Sequence, residues 1–91
     1  MIASWRHKGL RTLFLSGSSA KMRADQQKKC LRLLDALEQA ALAEDMNLPS
    51  FQFHGLHGKP KRYAVAVNGP WRITFGFENG EAVDVDLEQY H

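Results

Sequence analysis

The sequence predicts an α+β fold, with helices in the first half of the chain and a small antiparallel sheet in the second. Three observations predict it. Apolar residues recur at helical spacing between positions 10 and 41, and they alternate at strand spacing between 63 and 87. Asn68-Gly69-Pro70 and Asn79-Gly80 place turns between the alternating runs. Strands joined by such short turns must run antiparallel, because a parallel neighbour needs a long crossover. With 91 residues and 44% hydrophobic content, the chain reads as a single folded domain over residues 1–91.

Residues 2–6 read as a short first strand. Residues 9–15 form a short helix with Leu10, Leu13 and Phe14 on one face, and Gly17-Ser18-Ser19 breaks it and offers an N-cap for the next helix. The longest element is a helix over residues 21–43, in which Cys30, Leu33, Leu34, Leu37 and Ala41 make one apolar stripe. Lys28, Lys29, Arg32 and Asp35 fall largely outside that stripe, so the helix should lie on a sheet with its charged side in water. Phe51-Gln52-Phe53-His54 alternates as a short strand, and residues 55–62 form a loop rich in Gly, His and Lys. Strands follow over residues 63–67, 71–77 and 82–88.

Parity constrains how these strands pair. Tyr63, Val65, Val67, Trp71, Ile73, Phe75, Phe77, Val83, Val85 and Leu87 all stand at odd positions. To share one buried face, directly paired residues must sum to an even number. A two-residue Asn79-Gly80 turn would pair opposite parities and split the core, so an odd-length connection or a bulge is expected, with Gly80 left-handed at a bulge as the simplest site. The opposite face then carries Ala64, Ala66, Arg72, Thr74, Gly76, Asp84 and Asp86, with His54 and Tyr90 joining by alternation. Small residues flanked by a histidine, an arginine and a tyrosine predict a cleft on the side away from the helices.

Charge is unevenly spread. Residues 1–32 hold eight Lys or Arg against one acid, Asp25, while residues 78–91 hold five acids and no Lys or Arg. The formal charge of +2 permits nucleic-acid binding without demanding it. A single cysteine, Cys30, excludes an internal disulfide and suits a reducing cytosol; among leucines it reads as a buried, inert thiol. No apolar run approaches the roughly 20 residues of a membrane span, and residues 1–8 lack the apolar stretch of a signal peptide. The cytoplasm is therefore the expected location, with no membrane partner. His54-x-x-His57 offers two ligand types without a third, so no metal and no cofactor are assigned. The chain runs from an alternating strand directly into Tyr90-His91, so a sheet could aim a phenol and an imidazole at one site.

Met1-Ile2 with Trp5-Arg6-His7-Lys8-Gly9-Leu10, His54-x-Leu56-x-Gly58, Trp71-Arg72-Ile73-Thr74-Phe75 and Tyr90-His91 together resemble the ordered signatures of HigB-type toxins of the RelE superfamily. The resemblance covers nearly the whole chain. It implies a RelE-like, microbial-ribonuclease-like α+β fold, with two N-terminal helices packed on one face of a small antiparallel sheet. It also implies ribosome-dependent cleavage of mRNA, neutralisation by a HigA-type antitoxin, and contact with operator DNA only through that antitoxin. His54, Arg72, Tyr90 and His91 fall on the family's catalytic positions. The chain departs from the family pattern twice, with Gln89 where an acid is usual before Tyr-His and His57 where a lysine is usual.

Metal-independent RNA cleavage needs a base for the 2′-OH, an acid for the departing 5′-oxygen, and cations for the crowded phosphate. His54 and His91 can share the acid and base work, Arg72 can grip the phosphate with its planar fork, and Tyr90 can hold or activate the nucleophile. His57, Lys59, Lys61 and Arg62 would steer the RNA or ribosome, while His7 reads as fold-related. Two other readings stay open: a ParE-like, non-nucleolytic inhibitor of a protein target such as gyrase, and an inactive antitoxin-binding module.

Overall fold

Helical periodicity in the first half becomes two helices, α1 (Lys8–Ser16) and α2 (Ala24–Gln39), followed by a 3-10 turn at Ala43–Met46. Four strands complete the fold: β1 (His54–Leu56), β2 (Arg62–Ala66), β3 (Trp71–Glu78) and β4 (Glu81–Gln89). The computed structural model describes residues 1–20 and 22–89. Tyr90 and His91, both expected in the site, lie outside the described residues, as does Lys21.

The sheet is an antiparallel meander in the order β1-β2-β3-β4. Its odd-numbered face packs against the helices. Leu10 and Leu13 of α1, Cys30, Leu33, Leu34 and Leu37 of α2, and Val65, Ile73, Phe75 and Val85 of the sheet are essentially without exposure and form one cluster. Phe53 stacks on Tyr63 with centroids 5.5 Å apart, and Tyr63 on Phe75 at 5.7 Å. The expected α+β fold, two helices on one face of an antiparallel sheet, is the one observed.

Several boundaries differ from expectation, each for a local reason. The first strand is reduced to two isolated parallel bridges, Ile2 to Ala82 and Trp5 to Val85, along the outer edge of β4. Between them the N–H of Asp84 donates to Ser4 Oγ (2.8 Å) rather than to a backbone carbonyl, which interrupts the ladder. The segment still covers an edge that would otherwise present unpaired groups. The long helix starts at Ala24 and ends at Gln39, not at 21 and 43. No serine caps it; Arg23 holds the N-cap position without a side-chain capping bond. Instead Gln27 ties the preceding loop, donating to the carbonyls of Ser19 (2.9 Å) and Met22 (2.7 Å). At the other end Asp45 accepts from the N–H groups of Ala41 and Leu42, drawing the chain off the helix and leaving Ala41 exposed.

The strand expected over residues 51–54 begins at His54, because Ser50 and Gln52 adopt positive φ (71° and 50°). Phe51 is buried instead as a plug, its carbonyl accepting from Ala66 N–H at 2.8 Å. The loop after it shrinks to residues 57–61.

The parity conflict is resolved by a bulge, at a different place from the one expected. Glu78 pairs with Glu81 across a two-residue Asn79-Gly80 turn with both residues at positive φ (53° and 78°), the geometry that matches strand twist. Pairs nearest this turn therefore have opposite parity. The register shifts between Thr74 and Gly76, where Asp84 on β4 takes φ 51°, and beyond it the pairs have equal parity again. As a result Ala82, not Val83, faces the core: Ala82 has no exposure, whereas Val83 pairs with Gly76 on the opposite face and is half-buried. Val83 as a core residue is thus a misassignment caused by placing the bulge at the turn.

His7 belongs to the fold, as expected. It is the N-cap of α1, and its Nδ1 accepts from the Leu10 N–H at 3.0 Å. His7→Ala is expected to lower stability by about 1 kcal/mol, the usual cost of losing an N-cap, as read by urea denaturation. Cys30 is buried, and burial pushes its thiol up to about 11. Since an unfolded thiol ionises at lower pH, this group's contribution to stability is present below the unfolded pKa and declines as pH rises toward about 11. The decline should appear in melts above neutral pH and be smaller in Cys30→Ala.

Candidate functional site

The register builds the even-numbered face of the sheet in rows. His54 on β1 pairs with Ala64 on β2, Ala64 with Thr74 on β3, and Thr74 with Asp86 on β4. One row toward one end lie Ala66, Arg72 and Glu88; one row the other way lie Leu56, Arg62, Gly76 and Val83. Strands lie about 4.8 Å apart, so His54 and Thr74 are about 10 Å apart along their row, with Ala64 between them in the register. The structure therefore brings His54, Arg62 and Arg72 to one face, opposite the helices.

His54 is exposed, and its Nδ1 lies 3.1 Å from the Gln52 carbonyl oxygen. A carbonyl only accepts, so Nδ1 carries the proton in that bond and Nε2 is the nitrogen that can exchange one. The positive φ of Gln52 turns its carbonyl toward the ring. Arg72 is half-buried, and its Nη1 donates to the carbonyls of Gly69 (2.8 Å) and Trp71 (2.9 Å), which fastens the guanidinium to the β2–β3 turn.

Arg62 stands differently from the other basic residues expected to steer RNA. It lies on the sheet face rather than in the loop, crossing β3 so that Nη2 reaches Thr74 Oγ1 (3.1 Å) and the Asp84 carbonyl (2.9 Å). Burial pulls its pKa below the ordinary arginine value, reinforced by Arg6 and opposed by Glu88, Asp84 and Asp86. The floor under it is covered, not an open cleft: Ala64 and Thr74 have no exposure. Lys61 leans the other way, with Nζ 3.2 Å from the Leu56 carbonyl and 5.7 Å from the Tyr63 ring centre. His57 and Lys59 are exposed on the β1–β2 loop.

Two groups on this face have no part in the sequence-based site. Thr74 Oγ1 donates to the Glu88 carboxylate while accepting from Arg62. Their signal was available, since Thr74 and Glu88 share the even parity of Arg72, but nothing in the sequence shows a hydroxyl joining them. Among the described residues, no three His, Cys, Asp or Glu side chains are arranged to hold a metal ion. Among the same residues, no helix is long and apolar enough to cross a membrane.

The protein is thus a small α+β meander with its helices on one face and a histidine and two arginines on the other, an architecture consistent with RelE-like toxins. Over residues 3–91 the sequence matches the family of the RelE-like toxin of the type II toxin–antitoxin system HigB, and the chain belongs to that family. Among curated proteins it is similar to a Proteus vulgaris protein named Endoribonuclease HigB, with 35% identity over 92 aligned positions covering 100% of both chains. Membership in a type II toxin family implies an antitoxin partner.

Proposed function

We propose that this chain, acting as one RelE-like domain over residues 1–91, is a ribosome-dependent endoribonuclease that cleaves mRNA in the cytoplasm. The observation that carries this reading is the even face of the sheet, where a histidine with a defined proton-bearing nitrogen shares a face with two anchored arginines. The 35% identical relative is itself named an endoribonuclease.

In this mechanism a base takes the proton of the 2′-OH, whose oxygen attacks the adjacent phosphorus in line. The P–O5′ bond breaks and an acid gives its proton to O5′, leaving a 2′,3′-cyclic phosphate and a 5′-hydroxyl. His54 and His91 divide the acid and base roles, Arg72 binds the scissile phosphate, and Tyr90 orients the nucleophile. Arg62 adds positive charge to the face, while His57, Lys59 and Lys61 steer the RNA or ribosome from the β1–β2 side. The chemistry needs no metal. The ribosome supplies the positioning that a shallow face cannot, since alignment of reactants is worth several orders of magnitude in rate. A HigA-type antitoxin holds the protein silent, and operator DNA is met only through that partner.

The test is incubation of the purified protein with mRNA, alone and on ribosomes, followed by analysis of the new ends. Ribosome-dependent fragments ending in 2′,3′-cyclic phosphate are expected. Fragments ending in 3′-hydroxyl and 5′-phosphate would replace this mechanism with metal-assisted hydrolysis.

A further inference from the structure

Glu88 is placed where it could disable the site. It pairs directly with Arg72 across β3 and β4, so both side chains project from the same face. Directly opposed residues have Cβ atoms about 5 Å apart, and opposite charges there ordinarily pair. Yet they do not. Among the described residues, the side-chain bonds of Arg72 run from Nη1 to two neutral carbonyls, those of Gly69 and Trp71. The Glu88 carboxylate is instead held by the hydroxyl of Thr74.

Thr74 is fixed in that role by its surroundings. It has no solvent exposure, so no water competes for its hydroxyl. A hydroxyl has one proton to give. Arg62 Nη2 donates to Oγ1 at 3.1 Å, which leaves the hydroxyl proton for Glu88. The same Nη2 is held by the carbonyl of Asp84 at 2.9 Å, and Asp84 is the residue of the bulge. The chain of bonds runs from bulge to arginine to threonine to glutamate.

We propose that Thr74 is a positioning residue that holds Glu88 away from Arg72, so that the Arg72 guanidinium meets an RNA phosphate instead of a carboxylate of its own chain. A phosphate oxyanion and a carboxylate compete for the same planar fork. Losing the threonine hydroxyl releases Glu88 to its cross-strand neighbour and blocks the arginine. This inference rests on the reading of the even face as the RNA-cleaving site.

The test compares ribosome-dependent mRNA cleavage by the wild type, Thr74→Val, Thr74→Ser, Glu88→Gln and the Thr74→Val/Glu88→Gln double variant, with thermal melts to confirm folding. Thr74→Val is expected to lose about tenfold or more in kcat/KM, in line with the worth of a charge-assisted bond. Thr74→Ser keeps the hydroxyl and should retain most activity. The decisive variant is the double one, because Glu88→Gln removes the competing charge and should return activity to within about threefold of wild type. Full activity in Thr74→Val, or a double variant as weak as Thr74→Val alone, overturns the proposal while wild-type cleavage leaves the functional reading intact. Should Thr74→Val fail to fold, loss of activity in Glu88→Gln alone overturns it as well, since that would make Glu88 a needed group. A wild-type protein that does not cleave removes the functional reading, and this inference with it.

Discussion

His54→Ala is expected to lower ribosome-dependent cleavage by about 10²- to 10⁴-fold, the usual contribution of a positioned general acid or base, with little change in melting temperature. The contrast follows from where the residue sits. His54 is exposed at the first position of the edge strand β1, outside the core cluster, so the fold does not depend on its burial. The proton transfer proposed for it depends on ring orientation, and the Gln52 carbonyl contacts the ring at Nδ1. His54→Gln keeps a polar side chain but cannot exchange a proton, and it should be as inactive as the alanine variant. Single-turnover cleavage of ribosome-bound mRNA measures both. Activity within about threefold of wild type in either variant would remove His54 from the proton-transfer step.

The second large effect concerns the frame that carries the site. Phe75 has no exposure, stacks on Tyr63, and lies on β3 between the two halves of the β3–β4 register. Phe75→Ala should cost about 3–5 kcal/mol, combining lost transfer energy with the cavity left behind. A chain of this length has a total stability of about 5–14 kcal/mol, so much of it would be lost. The melting temperature should fall by at least about 12 °C, since each kcal/mol moves a domain of this size by about 4–8 °C. Calorimetry decides; a fall of only a few degrees would mean that the neighbouring side chains collapse into the gap.

The fold was largely legible because its two periodicities are strong and its turns are short. Leu10, Leu13, Cys30, Leu33, Leu34 and Leu37 fell on the apolar stripes and are all buried. Parity also required an odd-length connection or a bulge, expected at the Asn79-Gly80 turn. What it could not locate was the bulge itself: a side chain at positive φ is rare, and Asp84 adopts it because Ser4 and Arg62 hold its N–H and carbonyl. Those partners are 80 and 22 positions away in sequence, beyond any local pattern. Val83 was misassigned for that reason alone. Helix ends were misplaced similarly, since Gln27 and Asp45 act through side-chain bonds that periodicity does not register.

The site was legible to a different degree. Alternation placed Arg72 and Thr74 on the face away from the helices, and the register puts His54 there too. Arg62 was read as one more loop cation, yet it is the residue that crosses the sheet. Its even parity put it on the face; only the long reach of its side chain, which no spacing encodes, made it a partner of β3 and β4. Tyr90 and His91 are proposed from resemblance and lie outside the described residues.

This chain is proposed to cut translated mRNA with chemistry that includes the histidine at position 91. The most direct measurement is a map of mRNA 5′ ends in cells expressing, under tight induction, the wild type or His91→Ala. New ends within translated regions are expected for the wild type and should be lost in the variant, with growth arrest following the cuts. Growth arrest without new ends, or cuts that persist in His91→Ala, would contradict the proposal.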